Sequence, residues 1–143
     1  MKMITNHSAC DFADYIASYT DNHTIICSGL DLQIVLYYCQ VNALVNYNTI
    51  LFSEPIIPTS FGVVIESVWN EYKFCMGTNI FPMHQPKYLD QTTQLIIDQI
   101  INTCAKYSGI ELRKLVINQR PWKEAYYHNR LIDLKQLKTY FEN

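Results

Sequence analysis

The residues of this chain that could do chemistry are four histidines, five cysteines and a few carboxylates, and their spacing decides what that chemistry would be. His7, His23, His84 and His128 lie far apart, and none pairs with a second metal-ligating type at helical or finger spacing. Cys75 and His84 are the nearest Cys–His pair, separated by what reads as a loop, so no metal is expected. A Cys–His nucleophile pair would meet in space rather than in sequence, and no local signature accompanies Cys10, Cys27, Cys39, Cys75 or Cys104. Glu66 and Glu71, five apart on one expected helix, point to different faces and do not form a carboxylate dyad. Gly29, Gly62, Gly77 and Gly109 are isolated, so neither a dinucleotide fingerprint nor a phosphate-binding loop can be built. The expectation is a protein with no catalytic residues, no metal and no cofactor. An enzyme using Cys or His in a pocket is the rival reading from another class.

Nucleic-acid recognition needs a basic field, and the formal net charge is -2. Arg113, Lys114, Arg120 and Lys123 do cluster, but Glu111 and Glu124 dilute them and Trp122 reads as packing at the cluster's base. A solvated face is expected there, and nucleic acid is not an expected partner. What stands out instead is aromatic content, with eleven tyrosines and two tryptophans. Tyrosine offers a large amphipathic area that loses little entropy on ordering, which suits a surface that binds another protein.

These residues need a frame. At 143 residues, 49% apolar and 17% charged, the chain suits one domain over 1–143 with a core that needs no disulfide or metal. Cys39 and Cys104 fall on apolar helical faces and read as small core hydrophobes. The odd cysteine count and the lack of an export-like N-terminus point to a reducing, cytoplasmic setting. The most apolar run, Leu30 to Val45, is interrupted by Asp31, Gln33, Gln40 and Asn42, which makes it a buried helix and not a membrane span.

The spacing predicts a short first helix over 11–19, with Phe12, Ile16 and Tyr19 on one face. Ser28-x-x-Asp31 is a capping signal for the central helix, whose apolar residues run nearly all the way round. Two short apolar runs, Ile50 to Phe52 and Ile56-Ile57, are expected to pair as a small β-hairpin, kept to an edge by Pro55 and Pro58. Gly62 is expected to lead into a helix over 63–74, followed by a loop over 77–87. Asp90 caps a helix through about Tyr107, and Ser108-x-x-Glu111 caps the next through about Asn118. Pro121-Trp122 opens a short segment, and Asp133 caps a last helix with Leu134, Leu137 and Phe141 inward. The expected fold is mainly α (α+β), with about five to six helices and one small β-hairpin.

Leu32-Gln33-Ile34-Val35-Leu36-Tyr37-Tyr38-Cys39-Gln40 resembles the LQKLLYYAQ helix of the Panacea (SocA-like) antitoxin family. Leu51-Phe52 falls where that family has PLF, Phe61-Gly62-Val63-Val64 where it has YGPVV, and Val68 to Lys73 where it has VYREYK. Leu115 through Pro121-Trp122-Lys123-Glu124-Ala125 is similar to its L-T-H…PWK-A segment, and Ile132 and Tyr140-Phe141 fit its final helix. The ordered set carries the resemblance, from about Asp11 to Phe141.

That resemblance implies a mainly α fold and an antitoxin-like module that binds and neutralises a partner protein, a toxin. It also implies that some relatives act as adaptors handing a bound protein to a protease. It brings no catalytic residues. The alternative on the same scaffold is a phage-encoded inhibitor of a host or defence protein, for example an anti-CRISPR protein. This chain has Pro58-Thr59 where the family has Ala-Trp, Gly62-Val63 where it has Gly-Pro, and Ile34 where it has Lys. The departures bracket Thr59, Ser60, Phe61 and Gly62, which with Trp69 form the expected partner-binding patch. Phe61 either anchors in a partner's pocket or plugs the core beneath the hairpin, Gly62 also reads as a helix-entry turn, and Trp69 as core packing. Oligomeric state is left open by the sequence.

Overall fold

The computed structural model describes residues 2–3 and 6–142. Among these there are seven α-helices, the longest of them central, and two small sheets, so the fold is mainly α with a small β component. Strand β1 (Lys2–Met3) precedes α1 (Ala9–Asn22), α2 (Gly29–Tyr47) and β2 (Thr49–Ile50). Strands β3 (Ile57–Thr59) and β4 (Gly62–Val64) lead to α3 (Glu66–Tyr72), which ends in a 3-10 turn over Lys73–Cys75. Helices α4 (Gln91–Cys104), α5 (Gly109–Ile117), α6 (Arg120–Tyr127) and α7 (Leu134–Glu142) complete the chain.

Helix α2 is the centre. Leu32, Ile34, Leu36, Tyr37, Cys39, Ala43 and Leu44 are all fully buried. Such all-round burial explains why its apolar residues follow no single face. Helices α1, α3, α4, α5 and α7 all pack on it, and their apolar stripes join one core cluster. Three helices start with reciprocal capping boxes, Ser8 with Asp11, Ser28 with Asp31 and Ser108 with Glu111. Each satisfies two backbone N–H groups that the first turn would otherwise leave unpaired. Asp90 caps α4 by accepting the Thr93 N–H at 2.8 Å, and Asp133 accepts the Gln136 N–H at 3.0 Å ahead of α7.

Two glutamines on α2 do what the sequence pattern gave no reason to expect. The Gln40 amide donates to the Phe52 carbonyl at 2.8 Å and accepts the Leu51 N–H at 2.7 Å. Gln33 repeats the motif two turns earlier on the same face, accepting the Ile65 N–H at 2.8 Å and lying 3.4 Å from the Ile65 carbonyl. Both side chains are buried and pair backbone groups of non-repetitive segments, as a neighbouring strand would.

This bonding relocates the expected hairpin. Leu51 and Phe52 give their backbone groups to Gln40 and cannot pair with Ile56-Ile57, while Thr49–Ile50 pairs in parallel with Lys2–Met3. The antiparallel hairpin is β3–β4, with Ile57 opposite Val64, Pro58 opposite Val63 and Thr59 opposite Gly62. Val63 and Val64 therefore lie in a strand, and α3 starts only at Glu66. Gly62 is a hairpin residue and not a helix-entry turn. Its φ of +120° is a conformation that glycine alone adopts readily.

Candidate partner-binding surface

The hairpin turn is held from behind at several points. The Trp122 indole N–H donates to the Gly62 carbonyl at 2.6 Å, and the Trp122 ring is buried. At the turn itself the Phe61 N–H donates to Thr59 Oγ1 at 3.2 Å. Beyond the turn, β4 packs on α2 and α5, while β3 packs on α6. Ile132 N–H donates to the Ile56 carbonyl at 3.0 Å, which ties the chain entering β3 to the segment before α7.

On that support the expected patch divides. Phe61 is 54% exposed, so it does not plug the core. Ser60 is also exposed, Thr59 is half-buried, and Gly62 is covered. Thr59, Ser60, Phe61 and Gly62 thus share one protruding turn. Trp69 is half-buried on α3, which packs on α1 and α2, and it is not part of the turn. The turn is separated from the start of α3 by Val63, Val64 and Ile65, and the Ile65 N–H is taken by Gln33. The first turn of α3 therefore does not adjoin Phe61 in sequence.

The structure adds neighbours that sequence reasoning missed. Pro58 and Ile57 form one wall of an open groove of about 590 Å³ whose other wall is the end of α6 and the segment after it. Tyr126, Arg130 and Leu131 stand along that wall and all are exposed. Tyr126 is stacked on Trp122, ring centroids 4.4 Å apart and planes within 12°. One aromatic pair therefore links the hairpin's buried anchor to an exposed ring. The tyrosine excess was the sequence signal for such a surface, but the pairing of residues near 58 with residues near 126 is a tertiary contact.

The histidines, cysteines and carboxylates suited to chemistry lie elsewhere. The Cys10 thiol is pushed up to about 11, first by burial and then by the Glu71, Asp14 and Glu54 carboxylates, against a lowering contact with Ser67. Burial pushes the Cys104 thiol up to about 12, with Asp31 adding to it, and burial likewise raises Cys27 and Cys39. A nucleophilic cysteine needs the opposite shift, toward thiolate. His84 Nε2 lies 2.8 Å from Glu71 Oε2, and Glu66 is exposed, so Glu71 faces a histidine and not a second carboxylate. Among the described residues no group of three His, Cys, Asp or Glu side chains is placed to hold a metal ion. None of their helices is long and apolar enough to cross a membrane.

Residues 32–123 match the family model described as antitoxin SocA-like, Panacea domain. No curated protein and no solved structure matches the chain. The matched span opens at Leu32 in α2, takes in the β3–β4 hairpin and closes just past Trp122, so both partners of the 2.6 Å bond lie inside it.

Proposed function

We propose that this chain, which belongs to the antitoxin SocA-like Panacea family, neutralises a toxin protein by direct binding through its β3–β4 turn. The observation that carries the reading is Phe61, a large aromatic ring more than half exposed at a turn whose backbone is fixed by Trp122 and Thr59. An aromatic anchor presented on a rigid turn loses little freedom on binding, which is how interface hot spots concentrate affinity. Thr59 and Ser60 flank the anchor, Gly62 sets the bend, and Tyr126 and Leu131 extend the surface along the adjoining groove. Trp69, half-buried on α3, is proposed as a further contact. The raised cysteine thiols support a binding role in place of nucleophilic catalysis. The five free cysteines suit work in a reducing cytoplasm.

The test is co-expression with the product of the neighbouring reading frame. Relief of growth arrest by the wild-type chain, together with co-purification of the two proteins, supports neutralisation by binding. Relief that disappears in a host lacking its cytoplasmic proteases identifies the adaptor mode. A neighbour that is harmless alone, with no stable complex, overturns the antitoxin reading for this chain and favours an inhibitor of a host protein.

A further inference from the structure

Helix α6 has a second face at work. With 3.6 residues per turn, Arg120 and Glu124 stand on the side away from Trp122, so the helix turns its tryptophan to the hairpin and these charges elsewhere. There they form, with Pro121 and with Lys135, Tyr140 and Phe141 of α7, an open cleft of about 860 Å³. Tyr140 also borders an adjoining trough along α5 in which Lys114 is exposed.

The charges of this region are unbalanced. Glu124 is the one carboxylate lining this cleft, against Arg120 and Lys135, and Glu111 in the adjoining trough accepts the Ser108 N–H in its capping box. Among the described residues Arg120, Lys135 and Lys114 have no ion-pair partner, whereas Arg113, Lys87 and Lys138 each have one. A chain of net charge -2 therefore lines this cleft with two cations against one carboxylate, beside the Tyr140 and Phe141 rings.

We propose that the α6–α7 cleft docks an acidic segment of the partner protein, with carboxylates set against Arg120 and Lys135 and one apolar side chain on the Tyr140–Phe141 floor. The guanidinium fork matches a carboxylate with two parallel hydrogen bonds, and cations at the rim steer an anionic segment into the cleft. The apolar floor and the Glu124 carboxylate favour a peptide over a nucleic-acid backbone, which would bring a phosphate at every step. The proposal rests on the reading that the partner is a protein, but it does not depend on the hairpin turn as the contact.

The experiment is selection from a phage-displayed library of random short peptides on three forms of the full chain: wild type, Arg120→Glu with Lys135→Glu, and Thr59→Glu with Ser60→Lys. Thermal melts first establish that each form folds, which is expected because the cleft substitutions are at exposed positions. The expected result is enrichment of Asp and Glu beside an aromatic or aliphatic residue on the wild type and on the hairpin variant, and loss of that bias on the cleft variant. Selection with no acidic bias, or the same bias on the cleft variant, overturns the proposal. Binding of a single-stranded oligonucleotide that only the cleft variant loses, without peptide selection, also overturns it and assigns the cleft to nucleic acid. If the bias persists while the hairpin variant still captures the toxin, the cleft stands and the hairpin reading fails.

Discussion

Trp122 reaches across the fold to hold Gly62, its indole N–H 2.6 Å from the glycine carbonyl. The bond closes a loop of sixty residues and fixes the strand that carries the exposed turn. It is buried, so a lost donor leaves the carbonyl without water to replace it. Trp122→Phe keeps much of the ring and removes the donor. We expect it to cost about 1–3 kcal/mol, the usual penalty for an orphaned buried polar group. Amide exchange in the β3–β4 hairpin should quicken more than in α1. An unchanged melting midpoint with unchanged exchange would show that packing alone fixes the hairpin.

Gln40 plays for the segment after β2 the part that Trp122 plays for the hairpin. It satisfies the Leu51 N–H and the Phe52 carbonyl together, and both residues are fully buried. Gln40→Leu conserves bulk but orphans both groups, at about 1–3 kcal/mol for each. Chemical denaturation should show a loss well above that of an exposed substitution such as Asn102→Ala. Near-equal losses would mean that the segment after β2 relaxes to find other partners.

Leu36 is fully buried in α2 with helices on several sides, so the space left by truncation has little room to collapse. Leu36→Ala should destabilise the fold by about 2–5 kcal/mol. A midpoint shift within experimental scatter would place this helix at the periphery and contradict the architecture.

Much of this frame could be read from the sequence, because caps and apolar spacing act locally. Ser28, Asp90 and Ser108 start their helices as their patterns predict, and Cys39 and Cys104 are buried as small hydrophobes. Ser8-x-x-Asp11 has the same capping form as Ser28-x-x-Asp31, so the earlier start of α1 was legible too. What was not legible depends on distant partners. Gln33 and Gln40 look like mere interruptions of an apolar run until Ile65, Leu51 and Phe52 arrive beside them. Because those backbone groups are taken, the hairpin forms downstream of the place that local alternation suggested. The same holds for the candidate surface. Residue types marked the turn, but the bond that holds its Gly62 carbonyl comes from Trp122, sixty residues later.

Asp14 offers a test of buried charge. Its side chain is buried and accepts a hydrogen bond of 2.5 Å from the Tyr72 hydroxyl. Burial raises its pKa, and the lowering influences of Tyr72 and His84 do not fully offset that, with Glu71 pushing the same way as burial. A folded-state pKa above the unfolded value means that the folded protein holds this proton more tightly. The group's stabilising contribution is therefore present below the unfolded pKa of about 3.9 and is lost as pH rises through the folded value. Asp14→Asn keeps an acceptor for Tyr72 and removes the charge. It should raise the melting midpoint at neutral pH relative to wild type, with the difference shrinking as pH falls into the carboxylate range. A variant that is less stable at neutral pH would show that the ionised carboxylate is the favoured form.

The turn itself decides the functional reading. Since Phe61 is more than half exposed, Phe61→Ala should leave the melting midpoint nearly unchanged, within the ±0.5 kcal/mol usual for surface sites. That separates binding from folding at this residue, because a core plug would cost several times more. Partner capture by Phe61→Ala should weaken by about tenfold or more, as truncating an interface anchor costs at least 1.4–2 kcal/mol. Thr59→Glu with Ser60→Lys probes the same surface by charge and steric mismatch. Neither position is in the core, so this double variant should also fold, although Thr59 Oγ1 no longer accepts the Phe61 N–H. Both variants are measured by calorimetric titration against the co-purified partner and by thermal melt. Folding retained with capture lost is the expected pattern. If both variants fold and bind at full strength, the partner does not touch this turn, and the fixed, outward Phe61 needs another explanation.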